Sequence, residues 1–423
     1  MPADNPDKGS PSDHLVPLAV PIKDANEVIS RDYKIKKFRP LPESRIIEFG
    51  KWITHEDWAS IFSSSTTTEQ VEALQNLLSS KIEEIFPTKT VRFSASDKPW
   101  ITAELKKLAR KRKKVYRKQG KSEKYVKLLS EFEQKFNKAM SDYMNKNISD
   151  IKNSNPSKAY ALLKRLGARP GDCDKMNNFS LPSHANLSPL QSAERIADHF
   201  SQISQEYPPL NRDTLPDRVK AKISRSDENL PEISEYEVYE KIRGAKKPKA
   251  GVPGDVPRRL IQEFSPELTT PITKVFRNII RTKEWPAQWK VEYVTPIQKK
   301  PQPQSEDDLR NISLTHFFSK VFEKFMIFWL MFFVGDKIDP KQYGGQQKTS
   351  ITHYLIDLIN FVLYNHDLKI PQFVLACLVD FSKAFNRQNH NLLITLLSDM
   401  GVPGWLLSLV MAFLEDRSMI LRF

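Results

Sequence analysis

The amino-acid sequence predicts an α+β fold, with a basic helical connector ahead of a mixed region of helices and strands. Three observations predict it. Apolar residues recur at three- and four-residue steps from Thr68 onward, and Lys and Arg crowd into one helical stretch between Glu104 and Lys118. From Lys246, helical segments alternate with apolar runs of strand length, Val291 to Ile297 and Phe373 to Phe381.

In chain order, residues 1–60 are rich in Pro and show no long helical period, with Leu15, Val16, Leu18, Val20 and Ile22 as a short apolar strand. Val71, Leu74, Leu77, Leu78, Ile82 and Ile85 then line one face of a helix that must stop before Pro87. Thr102 is placed to cap a second helix and Gly120 to break it. That helix holds Arg110, Lys111, Arg112, Lys113, Lys114, Arg117 and Lys118, the densest positive charge in the chain. A third helix, Glu123 to Ile151, carries Leu128, Leu129, Phe132, Phe136, Met140 and Tyr143 at helical spacing, so the two pair as a hairpin with cations outside. Such a ridge suits phosphate contacts or a nuclear address, and a solvated helix face reads the same way. Residues 167–231 read as a linker around one helix, Pro189 to Ile203, with Ser188 as cap and Pro189 in its first turn. Ser234 and Glu237 fit a capping box for a helix reaching Arg243. A Gly/Pro turn, helices near 257–282, the alternating strand Val291 to Ile297, a long helix from Ser319 and another from Ile351 follow. Phe373 to Phe381 reads as a strand covered on both faces, with Asp380 at its carboxyl end.

Composition narrows the function classes. With 39% hydrophobic and 10% aromatic residues, 423 residues suffice for two or three packed domains. Lys and Arg number 65 against 51 Asp and Glu, a net charge of +14, which favours a polyanion because neutralising phosphates releases counterions. Cys173 and Cys377 stand far apart without neighbouring His pairs, so neither a disulfide framework nor a zinc site is expected. The first residues lack the apolar core of a secretory signal, so a nuclear or cytoplasmic location is expected rather than secretion. The longest apolar run, Phe325 to Val334, is too short to span a bilayer and reads as a buried helix, so no membrane partner is expected.

A carboxylate closing a buried strand is either a turn or cap residue or a metal ligand. Leu378-Val379-Asp380-Phe381-Ser382-Lys383-Ala384-Phe385, followed by Asn386, His390 and an apolar helix from Leu392 to Leu397, resembles motif A of non-LTR retrotransposon (LINE-type) reverse transcriptases. Further blocks fall in that family's order. Lys246-Lys247-Pro248-Lys249-Ala250-Gly251-Val252-Pro253-Gly254-Asp255 resembles its Gly-Pro-Asp-Gly turn, and Trp285-Pro286-Ala287-Gln288-Trp289-Lys290 leads into Val294 to Lys300. Leu309-Arg310-Asn311-Ile312-Ser313-Leu314 with Ser319 to Lys324 resembles the fingers block Tyr-Arg-Pro-Ile-Ser-Leu, and Gln342-Tyr343-Gly344-Gly345 the Gln-Phe-Gly-Phe segment. At the amino end, Ser12-Asp13-His14 resembles the closing motif of the apurinic-type endonuclease that precedes such polymerases, although an exposed cap at a strand start reads alike.

The resemblance implies RNA-directed DNA synthesis on an RNA template with a DNA primer or target. Asp380 would be the carboxylate that bridges two Mg2+ ions, whose hard, octahedral oxygen preference suits it. Lys299 and Arg310 would embrace the incoming deoxynucleoside triphosphate. Phe385 would pack below the sugar and reject a ribose 2′ hydroxyl, or be an ordinary core phenylalanine. In the endonuclease remnant, His14 would contact the scissile phosphate and Asp13 orient it. The implied organisation is an endonuclease tail at 1–24, an irregular Pro-rich segment at 25–66, a basic helical connector at 67–166, a linker with a short helix at 167–231, and the fingers and first part of the palm at 232–423. The family's later motifs B and C, with two more carboxylates, are expected past Phe423, so the chain is expected to be an incomplete right-hand polymerase fold and inactive alone. Asn311 and Asn386 depart from the usual Pro and Asp. The rival expectation is a non-catalytic nucleic-acid-binding protein derived from a retroelement.

Overall fold

The computed structural model describes residues 33–64, 66–94, 98, 100–152, 181–225, 229–245, 251–368, 370 and 372–422. The expected strand at Leu15 to Ile22, Asp13 and His14, and Cys173 lie outside these. From the amino end, β1 (Tyr33–Phe38) precedes α1 (Glu43–His55), then α2 (Thr67–Ile85) and β2 (Lys89–Ser94). The paired helices α3 (Ala103–Gln119) and α4 (Glu123–Lys152) follow. Later come α5 (Pro189–Ser204), α6 (Asp217–Ser224), α7 (Glu235–Arg243), α8 (Arg258–Glu263), α9 (Ser265–Thr282) and α10 (Ala287–Lys290), leading into β3 (Val291–Gln298) and β4 (Leu309–Leu314). The carboxyl part holds α11 (Phe317–Val334), α12 (Ile351–His366), α13 (His390–Asp399), α14 (Gly404–Leu414) and β5 (Ser418–Leu421). The result is a helix-rich mixed α and β architecture, compatible with the expected class. No helix among the described residues is long and apolar enough to cross a membrane.

Two compact units result. The first takes residues 1–36 and 90–171, and the second 37–89 and 172–423. In the first, β1 pairs with β2 in a two-stranded sheet, and α3 lies against α4. The caps are those the sequence implies: Thr102 Oγ1 accepts from the Leu105 amide at 3.2 Å, and Gly120, at φ 59°, donates its amide to the Tyr116 carbonyl. A left-handed residue ends a helix cheaply only when it lacks a Cβ. Leu105, Leu108 and Leu128 are buried in the hairpin, and Lys135 bridges to Glu104 at 2.7 Å.

In the second unit a continuous core joins α1, α2, α6, α7, α9, α11 and α14. Aromatic side chains fill its middle: Phe276 and Phe322 have ring centroids 5.0 Å apart, and Trp285 lies 5.4 Å from Phe322. Such tilted aromatic pairs add to what burial alone contributes. The Arg45 guanidinium donates to the Ile85 carbonyl, satisfying an end-of-helix acceptor of α2, and Arg39 adds a bond to the Ile82 carbonyl at 3.0 Å. Helix α14 approaches α6 so closely that a Cβ at Gly404 would sit 2.0 Å from the Lys222 carbonyl oxygen. A three-stranded sheet, in the order β4, β3, β5, completes the unit. β3 and β4 are antiparallel with Ile297 opposite Arg310, whereas β5 runs parallel to β3 with Leu421 opposite Val294. Helix α5 covers one face of this sheet, packing Ile196 and Phe200 with Val294 and Leu309.

Four expectations change. Residues 1–60 do hold a helix, α1, whose Ile46, Phe49 and Ile53 are buried at helical spacing. The described part of the stretch read as a linker packs into the unit, since Val219 and Ile223 of α6 are in the main core and Ile196 of α5 is under the sheet. Helix α11 is only half buried: Phe325 and Met326 are inside, but Phe328 and Phe332 face out. Phe373 to Phe381 forms no strand. It runs without a ladder partner, and Leu375 and Leu378 are 95% and 92% exposed. An apolar run specifies a strand only where layers cover both faces and a neighbouring edge accepts its backbone bonds, and no described element supplies either.

Candidate functional site

The β3–β4 hairpin carries two of the three expected nucleotide contacts, Lys299 and Arg310, at one end of the sheet. The Lys299 amide donates to the Asp308 carbonyl at 2.7 Å, and its ammonium to the Asp307 carbonyl at 2.6 Å, so this lysine closes the hairpin loop. Arg310 stands exposed on β4, its guanidinium without a hydrogen-bond or ion-pair partner among the described residues. It is the freer of the two to meet a phosphate.

Three consecutive acidic residues, Glu306 to Asp308, form the turn before β4, and each is held by cations. Glu306 accepts from Arg195 Nε and from His184 Nε2, both at 2.9 Å, and the other ring nitrogen of His184 lies 2.5 Å from Ser192 Oγ. Burial opposes ionisation of Glu306, but the His184 bond and the Arg195 charge outweigh it and hold its carboxyl below the usual range. Asp307 is lowered chiefly by Lys383, whose ammonium sits 2.5 Å away, with His199 Nε2 at 3.3 Å. Asp308 is lowered by the Gln304 amide and by Lys300 at 2.9 Å. The turn is thereby fixed to α5 on one side and to the segment after Asp380 on the other. Sequence alone marks this loop only by its acidic run; the placement of His184 and Arg195 around it, at the start of the Ser188-capped helix, leaves no local pattern.

Asp380 and Phe385 are both exposed, Phe385 at 98%. The turn between them, Ser382 to Arg387, contains Lys383 in left-handed backbone at φ 54°, and it is this residue that reaches Asp307. One ion pair therefore ties the segment after Asp380 to the loop between Lys299 and Arg310. Asp380 itself has no ligand set: no group of three His, Cys, Asp or Glu side chains able to hold a metal occurs among the described residues. A magnesium pair needs several fixed oxygen ligands, so the donors present do not fit it. The tight turn at Gln342 to Gly345 has Gly345 at φ 77°, with Tyr343 bonded to Asp357 of α12. Asp255 of the Gly/Pro block accepts from the Phe317 amide at 3.4 Å and lies 3.0 Å from His316 Nδ1, so it caps α11.

In the other unit, Arg110, Lys111, Lys113, Lys114, Arg117 and Lys118 are exposed on α3, with no carboxylate partner among the described residues. Arg112 instead lies over the Phe132 ring, 4.6 Å from its centroid. A cleft of about 820 Å³ lined by α6, α11 and α14 contains none of the candidate site residues.

No protein-family model matches the chain. It is 28% identical over 155 residues to a Drosophila melanogaster protein described as "Probable RNA-directed DNA polymerase from transposon X-element". It is 26% identical over 151 residues to the corresponding protein of transposon BS from the same organism. The chain is related to transposon reverse transcriptases. The matched stretches take in 36% and 35% of this chain but only 17% and 16% of those relatives, so it spans less than a fifth of the length of the curated relatives it matches.

Proposed function

We propose that the chain is the fingers and first palm segment of a non-LTR retrotransposon reverse transcriptase, carried behind an endonuclease tail and a basic helical hairpin. The observation that carries this reading is the Lys383–Asp307 ion pair, which ties the turn after Asp380 to the hairpin bearing Lys299 and Arg310. The turn that follows Asp380 in the chain is thereby held against the loop that lies between Lys299 and Arg310. The ordered blocks and the similarity to the two transposon polymerases support it. In the complete site, magnesium would supply stabilisation of the attacking and leaving oxygens. Of that machinery this chain offers Asp380 as one ligand, Arg310 as a free guanidinium for a triphosphate and Lys299 as a loop-closing cation. One carboxylate does not fix two ions, so in our reading the chain alone binds nucleic acid without extending a primer.

Primer extension on an RNA template with magnesium and all four deoxynucleotides tests this. No extension is expected. Template-dependent product that an Asp380→Ala change abolishes would overturn it. The second reading, a non-catalytic nucleic-acid-binding protein, is favoured by the exposed run Lys111, Lys113, Lys114, Arg117 and Lys118 of α3, which has no carboxylate partner among the described residues and needs nothing from the sheet to meet a phosphate backbone.

A further inference from the structure

Gly244, Ala245, Gly251 and Val252 line, with the first turns of α11, a cavity of about 390 Å³. Its apolar lining is Val252, Phe317 and Val321, and Lys320 and Lys324 reach it from successive turns of α11. Two more cations stand behind this lining. The Arg258 guanidinium lies 4.5 Å from the Phe317 ring centroid, and the Lys241 ammonium 4.5 Å from that of Phe325. Arg258 donates through Nη2 to the carbonyls of Ile242 and Ala245, while its Nε and Nη1 are buried with no hydrogen-bond partner.

None of these four cations makes an ion pair among the described residues. One lining carboxylate, Asp255, is already engaged at the cap of α11 by His316 and the Phe317 amide. Lys320 and Lys324 are thus exposed at the mouth and Arg258 half-buried behind the Phe317 ring, which concentrates positive charge without an ion pair among the described residues. Such an arrangement is costly unless an anion completes it, because desolvation and like-charge repulsion both act against the charged forms. The titration behaviour agrees in direction: burial, then the charges of Lys241 and Arg258, lowers the Lys324 ammonium from its ordinary value. Burial likewise lowers Arg258.

We propose that this cavity binds a phosphate group, carried by a nucleotide or by a nucleic-acid backbone, with Lys320 and Lys324 on its oxygens and Arg258 and Lys241 supplying the positive potential behind them. Ammonium and guanidinium groups make short, charge-assisted bonds to phosphate oxygens. Lys299, Arg310 and Asp380 do not line the cavity, so the proposal goes beyond the polymerase reading and stands or falls separately.

Calorimetric titration of the full chain with pyrophosphate, with a deoxynucleoside triphosphate and with a short single-stranded RNA tests it. Saturable binding of at least one probe is expected, weakened about tenfold or more by Lys320→Ala with Lys324→Ala and restored by Lys324→Arg in place of the alanine. Triphosphate and pyrophosphate binding with RNA unaffected by the pair assigns the site to nucleotides; weakened RNA binding assigns it to the backbone. A variant with Lys111, Lys114 and Lys118 of α3 changed to Gln should bind pyrophosphate as the parent does. No saturable binding of any probe, or equal binding by the double variant, overturns the proposal. Should the double variant fail to fold, nuclear magnetic resonance of 13C-methylated lysines in the parent decides. The Lys324 titration midpoint must rise when phosphate is added, and a midpoint that does not move overturns the site.

Discussion

Changing Lys111, Lys114 and Lys118 of α3 to Gln removes three exposed ammonium groups from one stripe of the helix, at spacings of three and four residues. Each lacks a carboxylate partner among the described residues and none is buried, so the helix hairpin should keep its fold, held by Leu105, Leu108 and Leu128. If each ammonium contacts one phosphate of a single strand, the slope of log affinity against log salt falls by about 0.7 per contact, or about 2 for the three. At about 0.1 M monovalent salt the same relation gives an affinity loss of roughly a hundredfold. Fluorescence anisotropy of a labelled single-stranded RNA across a salt series measures both quantities on parent and variant. A slope that stays the same would refute the assignment of this face to the backbone. A lost affinity with unchanged slope would refute it too, because only counterion release links the two.

Other perturbations probe the second unit. Gly404→Ala forces α14 away from the Lys222 carbonyl, an overpacking that should cost about 1–3 kcal/mol and lower the melting temperature measured by circular dichroism. Phe322→Ala empties the centre of the aromatic cluster, where the side chain is fully buried, and should cost about 3–5 kcal/mol in urea denaturation. Glu306 has its carboxyl lowered in the folded state from an ordinary 4.5. Its stabilisation is therefore fully present above that value and is lost as pH falls through the folded one. Melting temperature should drop with acidification below about pH 4.5 less steeply in Glu306→Gln than in the parent, and equal slopes would show that the His184 and Arg195 contacts contribute nothing.

Elements with their own punctuation were legible in the sequence. Thr102 and Gly120 bound α3, Ser188 and Pro189 open α5, and the Ser234–Glu237 capping box opens α7 as the spacing implies. Strand β3 followed from its alternation. Helix α14 did not, because Gly-Trp-Leu-Leu-Ser-Leu-Val-Met-Ala-Phe-Leu is buried almost all round and leaves no polar face to give a period. The parallel pairing of β5 with β3 joins segments more than a hundred residues apart, and four residues of strand carry no local mark of that partner. Phe373 to Phe381 failed for the opposite reason: its local signal was strong, but a strand is a relation between segments, and the neighbour was missing. Of the candidate site, residue types were readable and their mutual placement was not. Nothing in the sequence joins Lys383 to Asp307 across 76 positions.

The tie from His184 to Glu306 spans 122 positions, whereas the strands it steadies are joined by a short loop. Local hairpins close in microseconds, while contacts between distant segments wait for much of the intervening chain to order. During synthesis and refolding, β3 and β4 should therefore zip together well before α5 docks and immobilises their connecting turn. The turn at Glu306 to Asp308 would settle only in the last stage of assembly, so a protein trapped late in folding would retain its far-ultraviolet signal while the amides of that turn still exchange with solvent.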